Sequence, residues 1–263
     1  MLKIPLAVVN ASTLVDLDEL MAVAAALQVQ VSRDFAPAWN VDAELFVVRP
    51  GASAPAQSWW VVLLDNSDLG TALGYHDLTS AGLPMAKVFV ETAKRTGQEW
   101  SVLFSHEILE MLADPFINLT ACAPTVYGDI FYAYENCDAC QSDDAGYRID
   151  DRLVSNFCLP SWFDASKYGA EGKFDFTGQI KQPFELLPGG YAMWCCPAYS
   201  IGWQLLTKPG APLSYAMRPR VGSRRERRKT GVANWLQSSD ASGISTAGAN
   251  AGPSAAAASS PVS

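Results

Sequence analysis

The residues best suited to chemistry in this chain lie in the sequence SHEILE at positions 105–110. On a helix, residues four positions apart lie on one face, so His106 and Glu110 can point at one metal ion. Glu107 lies about 100° around the helix axis, where it can reach a water molecule beside that ion. This is the logic of the HExxH helix of zinc peptidases, with glutamate in place of the second histidine. We therefore predict that His106 and Glu110 bind one Zn²⁺ ion and that Glu107 is the catalytic base.

A third ligand is needed to hold the ion. Asp114 continues the same helix face, but eight residues of helix rise about 12 Å, which separates it from His106 unless the helix ends first. Glu135 and Asp138 follow on a later segment. We predict that Glu135 is the third ligand and that Asp138 orients His106 from outside the ligand set, with the exchange of these roles as the alternative. Because carboxylates make the site harder, Mn²⁺ or another divalent ion is the alternative to Zn²⁺.

HExxE alone is a weak pattern, and a solvated helix face with a surface histidine is the competing interpretation. Three features favour a metal site. The surrounding helix is strongly apolar, so its carboxylates would be buried and would need a partner. The range 83–90 precedes the helix, where zinc peptidases place an edge strand that pairs with an extended peptide. The acidic pair Glu135 and Asp138 then follows at a workable distance.

Four stretches of this sequence resemble a group of bacterial and phage proteins described as zinc-dependent, zincin-like peptidases. They are Ser105-His106-Glu107-x-x-Glu110-x-x-x-Asp114-Pro115, Glu135-x-x-Asp138-x-Cys140, Tyr147-x-Ile149 and Val154-Ser155-Asn156-Phe157. The similarity covers about residues 55–165, and its best signature is SHExxE followed by Asp-Pro. The resemblance implies a zincin-like fold with zinc at His106 and Glu110.

His76, in the sequence GYHD, is one of two histidines in the chain. We predict that it contributes to catalysis by stabilising an oxyanion or by touching the metal. The alternative is a structural histidine in a turn, because the range 70–84 is rich in turn-forming residues.

Cysteine provides a rival metal site. The chain contains Cys122, Cys137, Cys140, Cys158, Cys195 and Cys196. Cys137-x-x-Cys140 together with Cys195-Cys196 could bind zinc tetrahedrally. Without a recognisable signal peptide, reduced thiols are the default. Buried thiols, or a disulfide from Cys122 or Cys158 to one of the central pair, are the alternative.

Hydrophobic patterning predicts an α+β fold in which a mixed sheet packs on the active-site helix. The predicted strands are Ile4–Val9, Asp42–Val48, Trp59–Leu64 and Met85–Glu91, and the predicted helices run from Thr13 or Asp16 to about Val31 and from Gly97 to Ala113. Short aromatic strands after Pro115, among them 184–187 and 191–194, predict a smaller, irregular or β subdomain. We therefore divide the chain into a zincin-like N-terminal subdomain (1–115), a C-terminal subdomain that completes the metal site (116–207) and a disordered tail (208–263).

Charge is unevenly distributed along the chain. The net charge is −8, yet the range 208–229 is strongly basic, with Glu226 as its one acid. The remaining acidic body does not attract nucleic acid or an anionic membrane, so nucleic acid would bind only through Arg218–Lys229. A solvated linker is the favoured interpretation of that segment. The range 243–263 is almost entirely Ala, Gly, Ser and Pro, which cannot bury enough surface to fold.

No stretch approaches the roughly 20 apolar residues that span a bilayer, and the first apolar run is too short for a signal peptide. We therefore predict a cytoplasmic or virion-associated protein. The predicted function is a zinc-dependent hydrolase, a metallopeptidase with a peptide or protein substrate. The alternative is a non-catalytic structural or interaction protein with a zincin fold, for example a phage particle component.

Overall fold

The computed structural model describes residues 2–70, 72–199 and 202–208. These residues fold into α-helices and β-strands around a mixed sheet, which confirms the predicted α+β class. The predicted disordered tail lies outside the described residues from position 209 onward, and so does the basic segment Arg218–Lys229. Within the described ranges, no helix combines the length and the apolar character needed to cross a membrane.

A five-stranded mixed sheet is the frame of the first half of the chain. Its strands are β1 (Lys3–Asn10), β2 (Asp42–Val48), β3 (Trp59–Leu64), β4 (Gly74–Leu78) and β5 (Pro84–Phe89). Their order across the sheet is β2-β1-β3-β5-β4. The first four strands in that order are parallel, whereas β4 runs antiparallel to β5 at the edge. In β3, whose sequence is WWVVLL, Val61 and Leu63 are fully buried on one face of the sheet, whereas Trp60 on the other face is 38% exposed.

Two predictions about the edge of this sheet are wrong. The range 70–84 is not a run of turns, because residues 74–78 form β4. A five-residue strand that begins with glycine shows too little alternation to be recognised. The backbone N–H of Gly82 donates to the carbonyl of Thr79 at 2.9 Å, and this turn folds β4 back onto β5. As a result β5 has a neighbour on each side, and β4, rather than the range 83–90, is the edge strand.

A helical crossover joins β1 to β2. Asp16 caps helix α1 (Leu17–Val29) by accepting the N–H of Glu19 at 2.7 Å, as the sequence predicts. The helix continues as a π-helical segment (Gln30–Phe35) and a short helix, α2 (Ala36–Trp39). Asn40 then ends it in the left-handed conformation. Parallel strands require such a long connection, so this crossover accounts for the pairing of β1 with β2.

The predicted active-site helix begins three residues later than expected. Helix α3 (Val90–Thr96) comes first, and Gly97, with φ of 73°, ends it. Helix α4 (Trp100–Ala113) follows and is buried from its first residue to Leu112. It packs against β4 and β5 on one side and against the hairpin that contains β9 on the other. A helix enclosed in this way holds its polar residues at fixed positions.

The second half of the chain is built from short strands and irregular segments. Strands β6 (Thr120–Ala123), β7 (Ile130–Ala133), β10 (Tyr191–Cys195) and β11 (Gln204–Thr207) form an antiparallel sheet, and β8 (Tyr147–Ile149) pairs with β9 (Arg152–Val154) as a hairpin. The predicted strand at 184–187 is wrong, because Phe184 has φ of 56° and the segment packs its side chains into the core instead.

Buried side chains form two hydrophobic clusters. The first lies between the five-stranded sheet, α1 and α4, and includes Val154 and Phe157 from the second half of the chain. The second fills the C-terminal half. Cys137 belongs to the first cluster, whereas its close neighbour Cys140 belongs to the second. The segment that carries Glu135 and Asp138 is therefore anchored on both sides.

Candidate metal centre

Three elements bring six ionisable side chains together next to α4. The helix itself carries three of them, β4 carries one, and the segment after β7 carries two. These residues are His76, His106, Glu107, Glu110, Glu135 and Asp138, and none is more than 6% exposed. They are the site residues that the sequence predicts, and the fold collects them from positions up to 62 residues apart in the chain.

His106 and Glu110 converge as their spacing on the helix requires. The Nε2 atom of His106 lies 3.2 Å from Oε1 of Glu110. Two ligands of one tetrahedral zinc ion, each about 2.0–2.2 Å from the metal, lie roughly 3.3 Å apart. The observed separation is therefore compatible with a shared ion.

Glu135 and Asp138 lie near different histidines. Oδ1 of Asp138 is 3.4 Å from Nε2 of His106, whereas Oε2 of Glu135 is 3.7 Å from Nε2 of His76. Asp138 thus approaches the same ring nitrogen of His106 as Glu110 does. A residue that orients a metal-bound imidazole would contact the opposite nitrogen. The geometry favours the exchanged roles, with Asp138 nearer to the ligand position.

Asp114 stabilises the turn after α4. Its carboxylate accepts the backbone N–H groups of Asn118 and Leu119 at 3.1 and 3.0 Å. The carboxylate therefore holds the chain where it leaves the helix, at the Asp-Pro of the signature. This turn starts the segment that leads to β6, so Asp114 helps to position the second half of the site.

His76 lies in the edge strand β4 and faces α4. Its Nδ1 atom is 3.8 Å from Oε2 of Glu107 and 3.8 Å from Oε2 of Glu110. His76 is therefore a strand residue at the site and does not lie in a turn. Two residues earlier, Gly74 lies directly against Glu107, and a Cβ atom at this position would be 2.5 Å from Oε1 of Glu107.

Ser105 connects helix α4 to the segment after β9 through hydrogen bonds. Its buried hydroxyl accepts the backbone N–H of Ser155 at 2.6 Å and donates to the carbonyl of Val102 at 3.0 Å. Ser101 makes a parallel contact by donating to the carbonyl of Leu153 at 2.8 Å. These contacts explain why serine precedes His106 in the motif, a role that the sequence pattern does not reveal.

The electrostatics of the site give its acids different pKa values. Burial by itself lowers the pKa of His106, but the carboxylates of Glu110 and Asp138 outweigh it and raise this pKa well above its usual value. Burial raises the pKa of Glu110, and the facing His106 imidazole reverses this and lowers it to about 2. Burial and the charge of Glu110 together raise the pKa of Asp138 to about 7. The imidazole of His106 stabilises the ionised form of Glu110, whereas the charge of Glu110 disfavours ionisation of Asp138.

The charge of the six residues suits a divalent cation. Glu107, Glu110 and Glu135 leave one negative charge in excess even when both imidazoles and Asp138 are protonated, and ionised Asp138 adds a second. Uncompensated buried charge is costly, and an ion of charge +2 would balance it. The donor types, histidine nitrogen and carboxylate oxygen, are those that zinc accepts.

Among the described residues, two groups of three donors have their ligand atoms within 4.8 Å of one another. One group is His76, Glu107 and Glu110, and the other is His106, Glu110 and Cys137. Both share Glu110, whose Oε1 faces His106 and whose Oε2 faces His76. The spacing pattern did not suggest Cys137 as a partner of the helix motif.

The rival cysteine site does not form within the described residues. Cys122, Cys137, Cys140, Cys158 and Cys196 are free thiols, and neither donor group contains Cys140, Cys195 or Cys196. The thiol of Cys140 contacts that of Cys158 instead. The CxxC pair is therefore divided, with one thiol beside the helix motif and the other in the second hydrophobic cluster.

Comparisons with protein-family models, with curated proteins and with solved structures found no match for this chain. The resemblance to zincin-like peptidases therefore stays a prediction.

Proposed function

We propose that the protein is a zinc-dependent hydrolase, and more specifically a metallopeptidase. His106 and Glu110 would hold the ion with a third donor from the segment 135–138. The observation that carries this proposal is the 3.2 Å approach of the His106 and Glu110 side chains inside a buried site with excess negative charge. Buried carboxylates of this kind need a cation, and a helix that carries a histidine and a glutamate four residues apart can hold one between them.

The architecture around the helix supports a zincin-like interpretation. A mixed sheet packs on the helix, and its antiparallel edge strand β4 lies beside the motif. The second half of the chain contributes Glu135 and Asp138 from the far side of the site. In this proposal an N-terminal sheet with its helix holds the ion together with residues from the C-terminal part.

When bound, the ion would act as a Lewis acid that polarises a carbonyl group and makes water more acidic. Glu107 would accept a proton from the attacking water and pass it to the leaving amine. Its place beside the backbone of Gly74 restricts where its carboxylate can lie, which suits a base that must meet one water molecule. His76, on the neighbouring strand, would donate a hydrogen bond to the developing oxyanion.

The edge strand β4 suggests how a substrate would be held. In the described sheet β4 pairs with β5 on one side and is the outermost strand on the other. An edge strand can accept an extended peptide through backbone hydrogen bonds. A peptide paired with β4 would pass next to His76 and the end of Glu107, so this arrangement favours a peptide or protein substrate.

The substitution Glu107→Gln tests the proposal. It keeps the size of the side chain and removes its ability to accept a proton. We expect purified protein with this change to lose hydrolysis of casein or of a mixed fluorogenic peptide set while its zinc content stays equal to the wild type. His106→Ala is the matched control, because it should lose the metal as well. Undiminished hydrolysis by the Glu107→Gln protein would refute the assigned role.

One observation favours the second candidate, a non-catalytic structural or interaction protein. Each of the six site residues is buried, and closed metal sites are typical of structural zinc. In that case zinc would raise the stability of the wild type and of Glu107→Gln equally, and neither protein would hydrolyse peptides. The two candidates therefore separate in the same experiment.

A further inference from the structure

Cys137 lies at the border between the two halves of the site. It follows directly after the buried Glu135 and Asn136 and precedes the short 3₁₀ helix Asp138–Cys140. Its backbone N–H donates to Oε1 of Glu110 at 3.3 Å. The main chain of Cys137 is therefore bound to the same carboxylate oxygen that approaches His106. This contact holds Cys137 beside the predicted ligand Glu110.

The side chain of Cys137 also faces the site. Its sulfur and the donor atoms of His106 and Glu110 all lie within 4.8 Å of one another, and all three residues are buried. In a tetrahedral site with a sulfur at about 2.3 Å and nitrogen or oxygen at about 2.0–2.2 Å, neighbouring ligands lie roughly 3.3–3.7 Å apart. A contraction of about 1 Å would bring the three atoms to these separations.

We propose that Cys137 is a ligand of the metal that His106 and Glu110 hold, and that its thiolate makes Zn²⁺ the preferred ion. This inference rests on the metal site of the proposed function and deepens it. Thiolate is a soft donor that selects zinc, whereas a set of carboxylates and imidazole alone would also accept Mn²⁺. The positive charge of the ion stabilises the deprotonated sulfur, so binding zinc releases the thiol proton to solvent.

The other cysteines show that this role belongs to Cys137 alone among the described thiols. Cys140 is three residues away and equally buried, but its thiol contacts Cys158 in the second hydrophobic cluster. It belongs to neither group of candidate donors. Cys140 is therefore a matched control for Cys137, with the same chemistry and burial and a different neighbourhood.

X-ray absorption at the zinc edge of the full chain loaded with one zinc ion tests this directly. We expect one sulfur neighbour at about 2.3 Å together with nitrogen and oxygen neighbours at about 2.0–2.2 Å. Cys137→Ser should lose the sulfur neighbour, and Cys140→Ser should keep it. In competition with Mn²⁺, the preference for Zn²⁺ should fall in Cys137→Ser and stay unchanged in Cys140→Ser.

The wild-type spectrum decides the matter even if a variant does not fold. A shell of nitrogen and oxygen alone would overturn the inference, and so would a sulfur neighbour that persists in Cys137→Ser. Zinc bound without sulfur by a protein that hydrolyses peptides would refute the inference and leave the proposed function intact. A sulfur neighbour in a wild type that hydrolyses no peptide would support the inference and refute the proposed peptidase.

Discussion

Gly74→Ala is a change that moves Glu107, the proposed catalytic base, without altering any ionisable group. A Cβ atom at position 74 would lie 2.5 Å from Oε1 of Glu107, 2.8 Å from its Cγ and 2.9 Å from its Cδ. Ordinary contacts of a Cβ atom begin at 3.4 Å. The Glu107 carboxylate would therefore have to move by about 0.9 Å or more. Because the clash involves the side chain of Glu107 rather than backbone, the protein can fold and adjust.

The displacement predicts a loss of activity without a loss of metal. A misplacement of about 1 Å in a catalytic group can cost on the order of 10²-fold in rate. We expect kcat/KM for peptide hydrolysis to fall by roughly that factor in Gly74→Ala. Zinc content should equal the wild type, because His106 and Glu110 remain in place. The thermal midpoint should change little compared with the loss of activity.

A double-mutant cycle shows whether Gly74 acts through Glu107. Gly74→Ala is introduced into the wild type and into Glu107→Gln, and kcat/KM is measured for all four proteins. If the glycine serves only to make room for this carboxylate, the alanine should have no further effect in the Glu107→Gln background. Equal losses in both backgrounds, or wild-type activity in Gly74→Ala, would refute the reasoning.

Three further outcomes follow from the contacts of the site. Ser105→Ala should lower the free energy of unfolding by roughly 1–3 kcal/mol, because the buried N–H of Ser155 loses its acceptor. Urea titration with zinc present measures this, and an unchanged midpoint would contradict it. In metal-free protein, burial and the charge of Glu110 raise the pKa of Asp138 from 3.8 to about 7. The folded state therefore binds this proton more tightly than the unfolded chain does, and wild-type stability falls as the pH rises between these values. Asp138→Asn removes that loss, and its stability relative to the wild type should increase by up to roughly 4 kcal/mol from about pH 4 to about pH 8, measured with a chelator present. Free zinc at a hundred times its Kd should stabilise the wild type by about 2.7 kcal/mol and His106→Ala not at all, measured as the change in Tm on adding a chelator.

The sequence alone was sufficient for the helix motif and for most of the sheet. The positions of His106, Glu107 and Glu110 on one helical segment follow from a period of 3.6 residues, and the structure has Nε2 of His106 within 3.2 Å of Oε1 of Glu110. The strands at 42–48 and 59–64 agree with their predicted bounds residue for residue. These features depend on local patterning, and local patterning is what a sequence displays directly.

Only the tertiary structure decided how residues outside the helix contact it. Strand β4, which carries His76, was not recognised, because a five-residue edge strand depends on its pairing with β5 rather than on its own pattern. Asp138 and Cys137 reach the motif because the segment after β7 is held between two hydrophobic clusters. The contact of Gly74 with Glu107 joins residues 33 positions apart and leaves no trace in composition or spacing. Contacts between elements depend on how those elements pack, and packing is a property of the folded chain.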